Sequence, residues 1–310
     1  MKTSEVQNLK IKGCISLDNL CVMDIKGEDA KVKEFLQGQI TSDIQKVGLN
    51  TLHLSSICNQ KGQIVADFMI LRLVDGFKVV IDKEKSKSFE SELAPYAKFF
   101  KVLFKISKQN VIGFVNTSSN ASMCFLKNQG LSLSISISED LVQNTLDHDH
   151  WEAANLILKN LLLKQNELGS FRPSDINYDH LRTSFNKGCF RGQEIIARMK
   201  YLGKEKSTFK VFVTKKRVDS LFDAKMVNVL REIYVDNIFV YACIIKRDIF
   251  DIIKTTKPGK GGEIQITDAL LTQAKKGMVL AYKFDGQRFD CGSIDGFVKA
   301  TNYFYEKEKK

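Results

Sequence analysis

Residues Ser184–Arg198 read SFNKGCFRGQEIIAR, and this stretch carries the strongest structural signal in the chain. Gly188 and Gly192 lie on either side of Cys189, which predicts a tight turn because glycine accepts backbone conformations that other residues avoid. The residues that follow favour helix, so Cys189 is predicted near a helix N-terminus. The helix dipole and the neighbouring cation of Lys187 would make it the most reactive cysteine. On spacing alone, a buried structural cysteine beside a demanding turn is the alternative.

The residues before this stretch alternate between helix and strand signals. Asp29 can cap a helix, and residues 63–74 (QIVADFMILRLV) indicate a buried strand that Asp75-Gly76 turns into a second strand at 77–81. Residues 131–138 (LSLSISIS) alternate strictly, as a strand with a polar serine face does. The apolar stripes of two helices are formed by Val32, Phe35, Leu36 and Ile40, and by Phe89, Leu93 and Tyr96. Strands joined by hairpins, with helices between them, predict an α+β fold.

The second half of the chain contains three segments with different sequence patterns. Asp149, followed three residues later by a glutamate, resembles a capping box that opens a helix ending at Gly169. Residues 207–245 carry the strand-like runs TFKVFV and NIFVYACII, which could begin a small β-barrel but are too few to close one. Further on, a glycine-rich loop, a helix capped by Thr267 and the strand MVLAYKF predict a short α/β appendage.

Composition restricts the class of protein. The 310 residues are 44% hydrophobic and 27% charged, which indicates a globular protein and excludes a disordered one. No stretch reaches the roughly 18 apolar residues of a membrane span, and we expect a cytoplasmic protein with no membrane partner. Seven scattered cysteines without a C-x-x-C pair exclude a zinc ribbon or a disulfide framework, and no metal site is predicted. The net charge of +11 favours anionic partners, such as nucleic acid, phosphates or a polyglutamate-bearing cofactor.

The run K-G-C-F-x-G-Q-E-x-x-A-R at 187–198 resembles the signature of the YgfZ-type folate-binding proteins, which are relatives of the aminomethyltransferase (T-protein) of the glycine cleavage system. Three upstream segments agree in the same order: 35–43 (FLQGQITSD), 58–64 (CNQKGQI), and Pro95-Tyr96 with Phe100-Lys101-Val102. The resemblance covers about residues 15–245. It implies a folate-binding, aminomethyltransferase-like α+β domain at 1–206 with a central folate cavity, followed by a truncated C-terminal β-barrel at 207–246.

The same resemblance implies a set of site residues. Cys189 would be the functional, catalytic thiol, and the cofactor would be tetrahydrofolate or a one-carbon derivative. The residues that match the family's cofactor-binding motifs are Lys187, Gln193, Glu194 and Arg198 in the signature, and Gln37, Gln39 and Asp43 in the first motif. A pterin is bound by stacking and by hydrogen bonds, and the carboxylates of a glutamyl tail pair well with Arg and Lys side chains. The first-motif side chains could equally serve as caps and solvent contacts.

Residues 247–310 instead resemble the C-terminal segment of UTP-glucose-1-phosphate uridylyltransferase. The matching runs are RDIF from Arg247, GKGGEIQITDA from Gly259 and FDGQRFDCGS from Phe284. In such enzymes the aspartate at the position of Asp290 can help to hold magnesium. The nucleotide loop that should open the catalytic domain is missing from residues 1–60, and the glycine-rich run is not a P-loop. The segment is therefore expected to be catalytically idle.

The leading hypothesis is a cytoplasmic, tetrahydrofolate-binding protein. By resemblance it would support the assembly or repair of iron-sulfur enzymes, including enzymes of tRNA modification, and these clients would be its partners. The alternative is a protein of nucleotide-sugar synthesis related to the uridylyltransferase. Direct contact with nucleic acid stays open, because the charge favours it but no aromatic-rich RNA-binding motif is present. The sequence also leaves open whether the protein is an enzyme or a folate-dependent accessory protein with transferase ancestry.

Overall fold

The computed structural model describes residues 11–128, 130–203, 207–219 and 227–246, with short pieces at 271, 274–275, 298–299 and 301–303. The predicted α/β appendage at 247–310, with its loop, its helix from Thr267 and Asp290, lies almost wholly outside the described residues. Between residues 11 and 246 the described chain forms three sheets whose paired strands are all antiparallel, with α-helices between them. The predicted α+β class is confirmed.

The largest sheet has five strands in the order β3–β4–β5–β2–β6. Its strands are β2 (Leu20–Lys26), β3 (Thr51–Cys58), β4 (Ile64–Leu73), β5 (Gly76–Asp82) and β6 (Leu103–Ile106). Helices α1 (Asp29–Gln39) and α2 (Lys83–Phe100) pack against one face. Successive β4 side chains alternate between the two cores, with Phe68 facing the helices and Met69 the opposite side. Both faces are buried, which explains the continuous apolar run seen in the sequence.

A second sheet of four strands packs on the opposite side of the molecule's main core. Its order is β1–β7–β9–β8, formed by β1 (Gly13–Ser16), β7 (Asn110–Val115), β9 (Leu131–Ser138) and β8 (Met123–Asn128). The alternation of β9 is confirmed, because Leu131, Leu133 and Ile135 belong to the main core. Ser134 and Ser136 on its other face are buried as well, so the serine face is not a solvent face.

Helix α3 (His148–Ile157) is shorter than the sequence predicts. Its N-cap is Asp147, whose side chain accepts a hydrogen bond from the His150 N–H at 2.9 Å, so the predicted capping box at Asp149 is wrong. The helix ends at Ile157 rather than near Gly169, because Lys159 takes a left-handed conformation with φ of 62°. The chain then runs through short turns, α4 (Tyr178–Leu181) and α5 (Gln193–Leu202).

Two further boundaries differ slightly from the predictions. The N-cap of α1 is Glu28, which makes no side-chain capping bond, and Asp29 is the first helical residue. The turn between β4 and β5 falls at Val74-Asp75, one residue before the predicted pair. Both differences lie within the usual uncertainty of element ends.

The third sheet has three strands in the order β10–β12–β11, formed by β10 (Ser207–Thr214), β12 (Ile238–Lys246) and β11 (Val227–Val235). The two predicted strand runs are β10 and β12. Phe209, Ile233 and Val240 join the main core, so this sheet packs on the rest of the chain. Arg231 is buried and pairs with Glu167 at 2.6 Å, and with Glu152 of α3 at 3.2 Å. No helix among the described residues is long and apolar enough to cross a membrane.

Candidate functional site

The signature loop 184–192 is tied to the end of helix α1 by Lys187. The Lys187 side chain is buried, and its Nζ donates to the carbonyl oxygens of Ile40 at 2.8 Å and Ser42 at 2.9 Å. Burial lowers the pKa of Lys187 to about 8, although the nearby carboxylate of Asp43 raises it. A buried ammonium group held by two neutral oxygens therefore joins the first motif to the signature.

The second motif packs against the start of helix α5. Gly192 is the N-cap of α5 with φ of 81°, and a Cβ there would lie 2.5 Å from the carbonyl oxygen of Asn59. Gly62 has φ of 70°, and a Cβ there would lie 3.2 Å from the side chain of Ile195, which is a tight contact but less severe than that at Gly192. Both glycines are required by the close approach of the 58–63 turn to the helix. The turn and the signature thus fix one another's position.

The third upstream segment reaches the signature through Arg191. The Arg191 guanidinium donates to a carboxylate oxygen of Glu92 at 2.7 Å and lies 5.8 Å from the ring centre of Tyr96. The backbone N–H of Arg191 donates to the carbonyl oxygen of Gly38 at 3.1 Å. All four motifs singled out in the sequence therefore meet around one loop.

The other predicted signature residues are exposed or half-buried. Cys189 is exposed and lies four residues before the first residue of α5. Glu194 and Arg198 are exposed on α5. The Gln193 side chain accepts a hydrogen bond from the Phe190 N–H at 3.1 Å, which closes the start of the helix. Exposure of Cys189 disagrees with the alternative of a buried structural cysteine.

The first-motif residues form a local network at the end of α1. Gln37 donates to Asp43 at 3.1 Å and accepts from the N–H of Ile44 at 2.9 Å. Asp43 also caps the short helical turn at Ile44–Lys46. Gln39 is buried, and its Oε1 has no hydrogen-bond partner among the described residues. Gln37 and Asp43 have the capping role that the sequence allowed for them.

A large cavity lies between the five-stranded sheet and helix α3. Its volume is about 530 Å³, within the roughly 300–1,000 Å³ that ligand pockets occupy. Trp151 and Phe125 line it, with ring centres 6.1 Å apart, and Leu54, Met69 and Val80 add an apolar wall. Gly113 leaves the space that the Trp151 indole occupies, because a Cβ there would come within 2.8 Å of the ring. The cavity is thus an apolar slot with two aromatic rings.

One polar wall of this cavity is built around Asp67. Asp67 is buried, and its carboxylate accepts from Lys85 Nζ at 2.6 Å and from the Tyr178 hydroxyl at 3.0 Å. Burial raises the pKa of Asp67, but the charges of Lys85 and Arg182 and these hydrogen bonds outweigh it and hold the pKa below its usual range. Asp67 is therefore an ionised, fully paired carboxylate.

A chain of amides continues the polar wall. Arg182 is buried and donates to the carbonyl oxygens of Ser55 at 3.0 Å and Phe68 at 2.9 Å, and to Asn160 Oδ1 at 2.9 Å. Asn160 in turn donates to Asn155 Oδ1 at 2.7 Å. Each amide keeps hydrogen-bonding capacity beyond these bonds, and both line the cavity. The wall can therefore read the polar edge of a flat ring.

None of the eight residues predicted for the site lines this cavity, and of these only Asp43 lines a smaller recess beside it. The lining side chains that sequence reasoning missed are Asp67, Lys85, Trp151, Asn155, Asn160 and Arg182. One signal was present, because Asp67 is the single acidic residue in the apolar run of β4. The described residues contain no group of three or more His, Cys, Asp or Glu that could hold a metal ion.

Comparison with known proteins gives three findings, while no family model matches the chain. The "tRNA-modifying protein YgfZ" of Vibrio vulnificus is 27% identical over 214 residues, which is 60% of this chain and 65% of that protein. The UTP-glucose-1-phosphate uridylyltransferase of Pseudomonas aeruginosa is 67% identical over 63 residues, 20% of this chain and 23% of that enzyme. The aminomethyltransferase T of Bartonella henselae superposes with a TM-score of 0.59 and 13% identity, over 79% of this chain and 81% of that one.

The chain therefore spans 65% of the length of that YgfZ protein and under a quarter of the uridylyltransferase. The 63 matched residues agree in length with the segment 247–310 that resembles the uridylyltransferase in sequence. The structural superposition shows the fold alone. This chain has the aminomethyltransferase T fold, is a homologue of the YgfZ proteins over about 60% of its length, and carries a segment similar to UTP-glucose-1-phosphate uridylyltransferase.

Proposed function

We propose that the protein binds tetrahydrofolate, or a one-carbon derivative of it, in the cavity between the five-stranded sheet and helix α3. The observation that carries the proposal is the pairing of two aromatic rings with a wall of amides in a cavity of about 530 Å³. A pterin is flat, and its edge carries alternating donors and acceptors. Trp151 and Phe125 offer it apolar faces, and Asn155 and Asn160 offer amide groups.

The mouth of the cavity suits the rest of such a ligand. Lys164, Gln165 and Asn166 are exposed and line it, so an ammonium group and two amides can meet the carboxylates of a glutamyl tail. Asp82 and Glu84 line the same cavity and disfavour further negative charge there. The mouth therefore favours a short tail over a long polyglutamate.

The cellular role follows from the homologues and belongs to the same proposal. The YgfZ proteins are named for tRNA modification, and the sequence resemblance implies support of iron-sulfur enzymes as clients in the cytoplasm. Cys189, exposed on the loop where four motifs meet, is the thiol that we assign to this role. Cys189 is exposed and does not line the cavity, which favours contact with a client over contact with the pterin.

We also propose that the chain has three parts, at 1–206, 207–246 and 247–310. The last part is the basis of the alternative function in nucleotide-sugar synthesis, supported by 67% identity over 63 residues. Because that match covers 23% of the enzyme, and residues 1–60 contain no nucleotide loop, we propose that the part is catalytically idle.

Titration of the purified protein with tetrahydrofolate and with UTP, followed by tryptophan fluorescence, tests both functions. Trp151 is the only tryptophan in the chain and lines the cavity, so its emission reports on occupancy. We expect saturable quenching by tetrahydrofolate. The variant Phe125→Ala should weaken binding about tenfold, the order expected for one aromatic partner. Phe99→Ala is the matched control, because Phe99 is 81% exposed and does not line the cavity. A response to UTP with none to tetrahydrofolate would overturn the folate proposal.

A further inference from the structure

A second, smaller recess lies beside the large cavity and is not needed for the function proposed above. Its volume is about 300 Å³. It shares Leu54, Phe125 and Arg182 with the large cavity, so these three residues form the wall between them. Polar side chains dominate the remainder of its lining: Ser42, Asp43, Lys46, His53, Thr183 and Ser184. The recess thus lies where the first motif meets the start of the signature.

Two buried cations next to this recess have no carboxylate as a direct partner. Arg182 is 2% exposed and Lys187 is 8% exposed. Arg182 donates to two backbone carbonyls and an amide, and Lys187 donates to two backbone carbonyls. Neither forms an ion pair with a carboxylate of the described residues. Burial of a charge is unfavourable unless an opposite charge compensates it, so the region retains a demand for an anion.

The acidic groups nearby do not meet this demand. Asp67 is bound by Lys85 and Tyr178, so its single negative charge is shared between Lys85 and the nearby Arg182. Asp43 is bound by Gln37 and lies 3.8 Å from the rim cation Lys46. In and next to the recess, two carboxylates, Asp67 and Asp43, are thus set against four cations, Lys85, Arg182, Lys187 and Lys46, and a net positive charge remains.

The recess also contains donors that are not engaged. The Arg182 Nε is buried without a hydrogen-bond partner in the described part of the chain. The Ser184 hydroxyl and the His53 imidazole, both half-buried, make no hydrogen bond with described residues. Burial lowers the pKa of His53, against the raising effect of Asp43, so its ring is neutral at pH 7 and carries one N–H donor. Uncompensated positive charge and free donors together are the requirements of an oxyanion site.

We propose that this recess binds a small oxyanion, a carboxylate or a phosphate group, with Arg182 as the main counter-charge and Ser184 and His53 as hydrogen-bond donors. At about 300 Å³ the recess has ample room for such a group together with ordered water. Because Arg182 also lines the large cavity, the anion would lie on the far side of the wall from the proposed folate ring.

Inorganic phosphate is the probe, titrated into the full-length protein by calorimetry at constant ionic strength with chloride as the reference anion. We expect saturable binding of one phosphate per chain. Ser184→Leu fills the recess and should weaken phosphate binding by tenfold or more, whereas Ser91→Leu, on the exposed face of α2, should leave it unchanged. Acetate, titrated in the same way, is the carboxylate probe. The proposal would be overturned if neither phosphate nor acetate bound saturably, or if the phosphate affinity of Ser184→Leu equalled that of the unsubstituted protein.

A second pair of variants keeps the test independent of that substitution's effect on folding. Lys46→Gln removes the rim cation and should weaken phosphate binding several-fold, because Lys46 is 63% exposed and its charge is screened. Lys31→Gln is its matched control, since Lys31 is also an exposed lysine in an i,i+3 ion pair but lies outside the recess. Equal phosphate affinity of these two variants would contradict a cationic recess.

Competition with tetrahydrofolate distinguishes two sources of the bound oxyanion, a carboxylate of the folate itself and a separate anion. Displacement of phosphate by tetrahydrofolate would show that a ligand carboxylate reaches the recess from the large cavity. Simultaneous binding would show that the recess takes a separate anion, and both outcomes support an oxyanion site. Failure of tetrahydrofolate to quench Trp151 would overturn the proposed function and leave the phosphate result standing.

Discussion

Gly192→Ala should destabilise the protein strongly, although it adds a single methyl group. Gly192 has φ of 81°, and an alanine in the left-handed region costs about 1–2 kcal/mol. The added Cβ would lie 2.5 Å from the carbonyl oxygen of Asn59, and forcing such a contact apart costs about 1–3 kcal/mol. The stiffer unfolded chain offsets about 0.4–1 kcal/mol of this. The net expected loss in the free energy of unfolding is about 3 kcal/mol.

The same signature supplies the control. Gly188 is four residues away, its φ is not positive, and no heavy atom lies within 4 Å of where its Cβ would be. Gly188→Ala should therefore leave stability unchanged or raise it by about 0.4–1 kcal/mol. Urea denaturation of both variants, followed by Trp151 fluorescence and far-UV circular dichroism, measures the difference. If the two variants unfold within about 1 kcal/mol of each other, the close packing of the 58–63 turn against α5 is not what selects glycine here.

Three further outcomes are expected. Lys85→Met removes the direct ion-pair partner of buried Asp67, with Arg182 as the remaining nearby cation, and should lower the free energy of unfolding in urea by about 3 kcal/mol at pH 7. Partial burial lowers the pKa of His150, but hydrogen bonds to two aspartates outweigh this effect and raise the pKa above 6.5. The stabilisation by protonated His150 is therefore complete below pH 6.5 and is lost as the pH rises through the pKa of the folded state. The His150→Gln variant should show a flatter dependence of the unfolding free energy on pH between pH 5 and 8. Iodoacetamide should label exposed Cys189 in the native protein well before Cys58, because burial raises the pKa of the Cys58 thiol to about 12. Equal labelling rates of the two cysteines, measured by mass spectrometry, would contradict the assignment of Cys189 as the accessible thiol.

The sequence predicts the elements whose pattern is local. The stripe of Val32, Phe35 and Leu36 is buried on α1 as predicted, and the apolar run 63–74 is β4. The length of helix α3 was overestimated because the apolar spacing of the predicted helix continues to Leu161, which is buried but lies in a segment that is neither helix nor strand. A buried extended segment and a buried helix have similar composition, so periodicity alone does not separate them.

The sequence predicted only part of the candidate site, and the reason differs from that for the length of helix α3. The signature motifs were found because they are contiguous, and they do meet in space around Lys187. The cavity wall consists of single residues on separate elements, such as Asp67 on β4, Trp151 on α3 and Arg182 after α4. Only the packing of those elements brings the residues together. The single acidic residue of this apolar strand, Asp67, was the one local sign of a buried polar network.

Lys187 bonds to Ile40 and Ser42, which precede it in the chain by 147 and 145 positions. This separation has a consequence for biosynthesis. At about 5–20 residues per second, a ribosome needs about 7–30 s to reach the lysine after it has made those carbonyl groups. During this interval the buried end of α1 and the 58–63 turn lack the partners that cover them. Nascent chains that stop before residue 187 should therefore need chaperones, and pausing upstream of the signature should lower the yield of native protein.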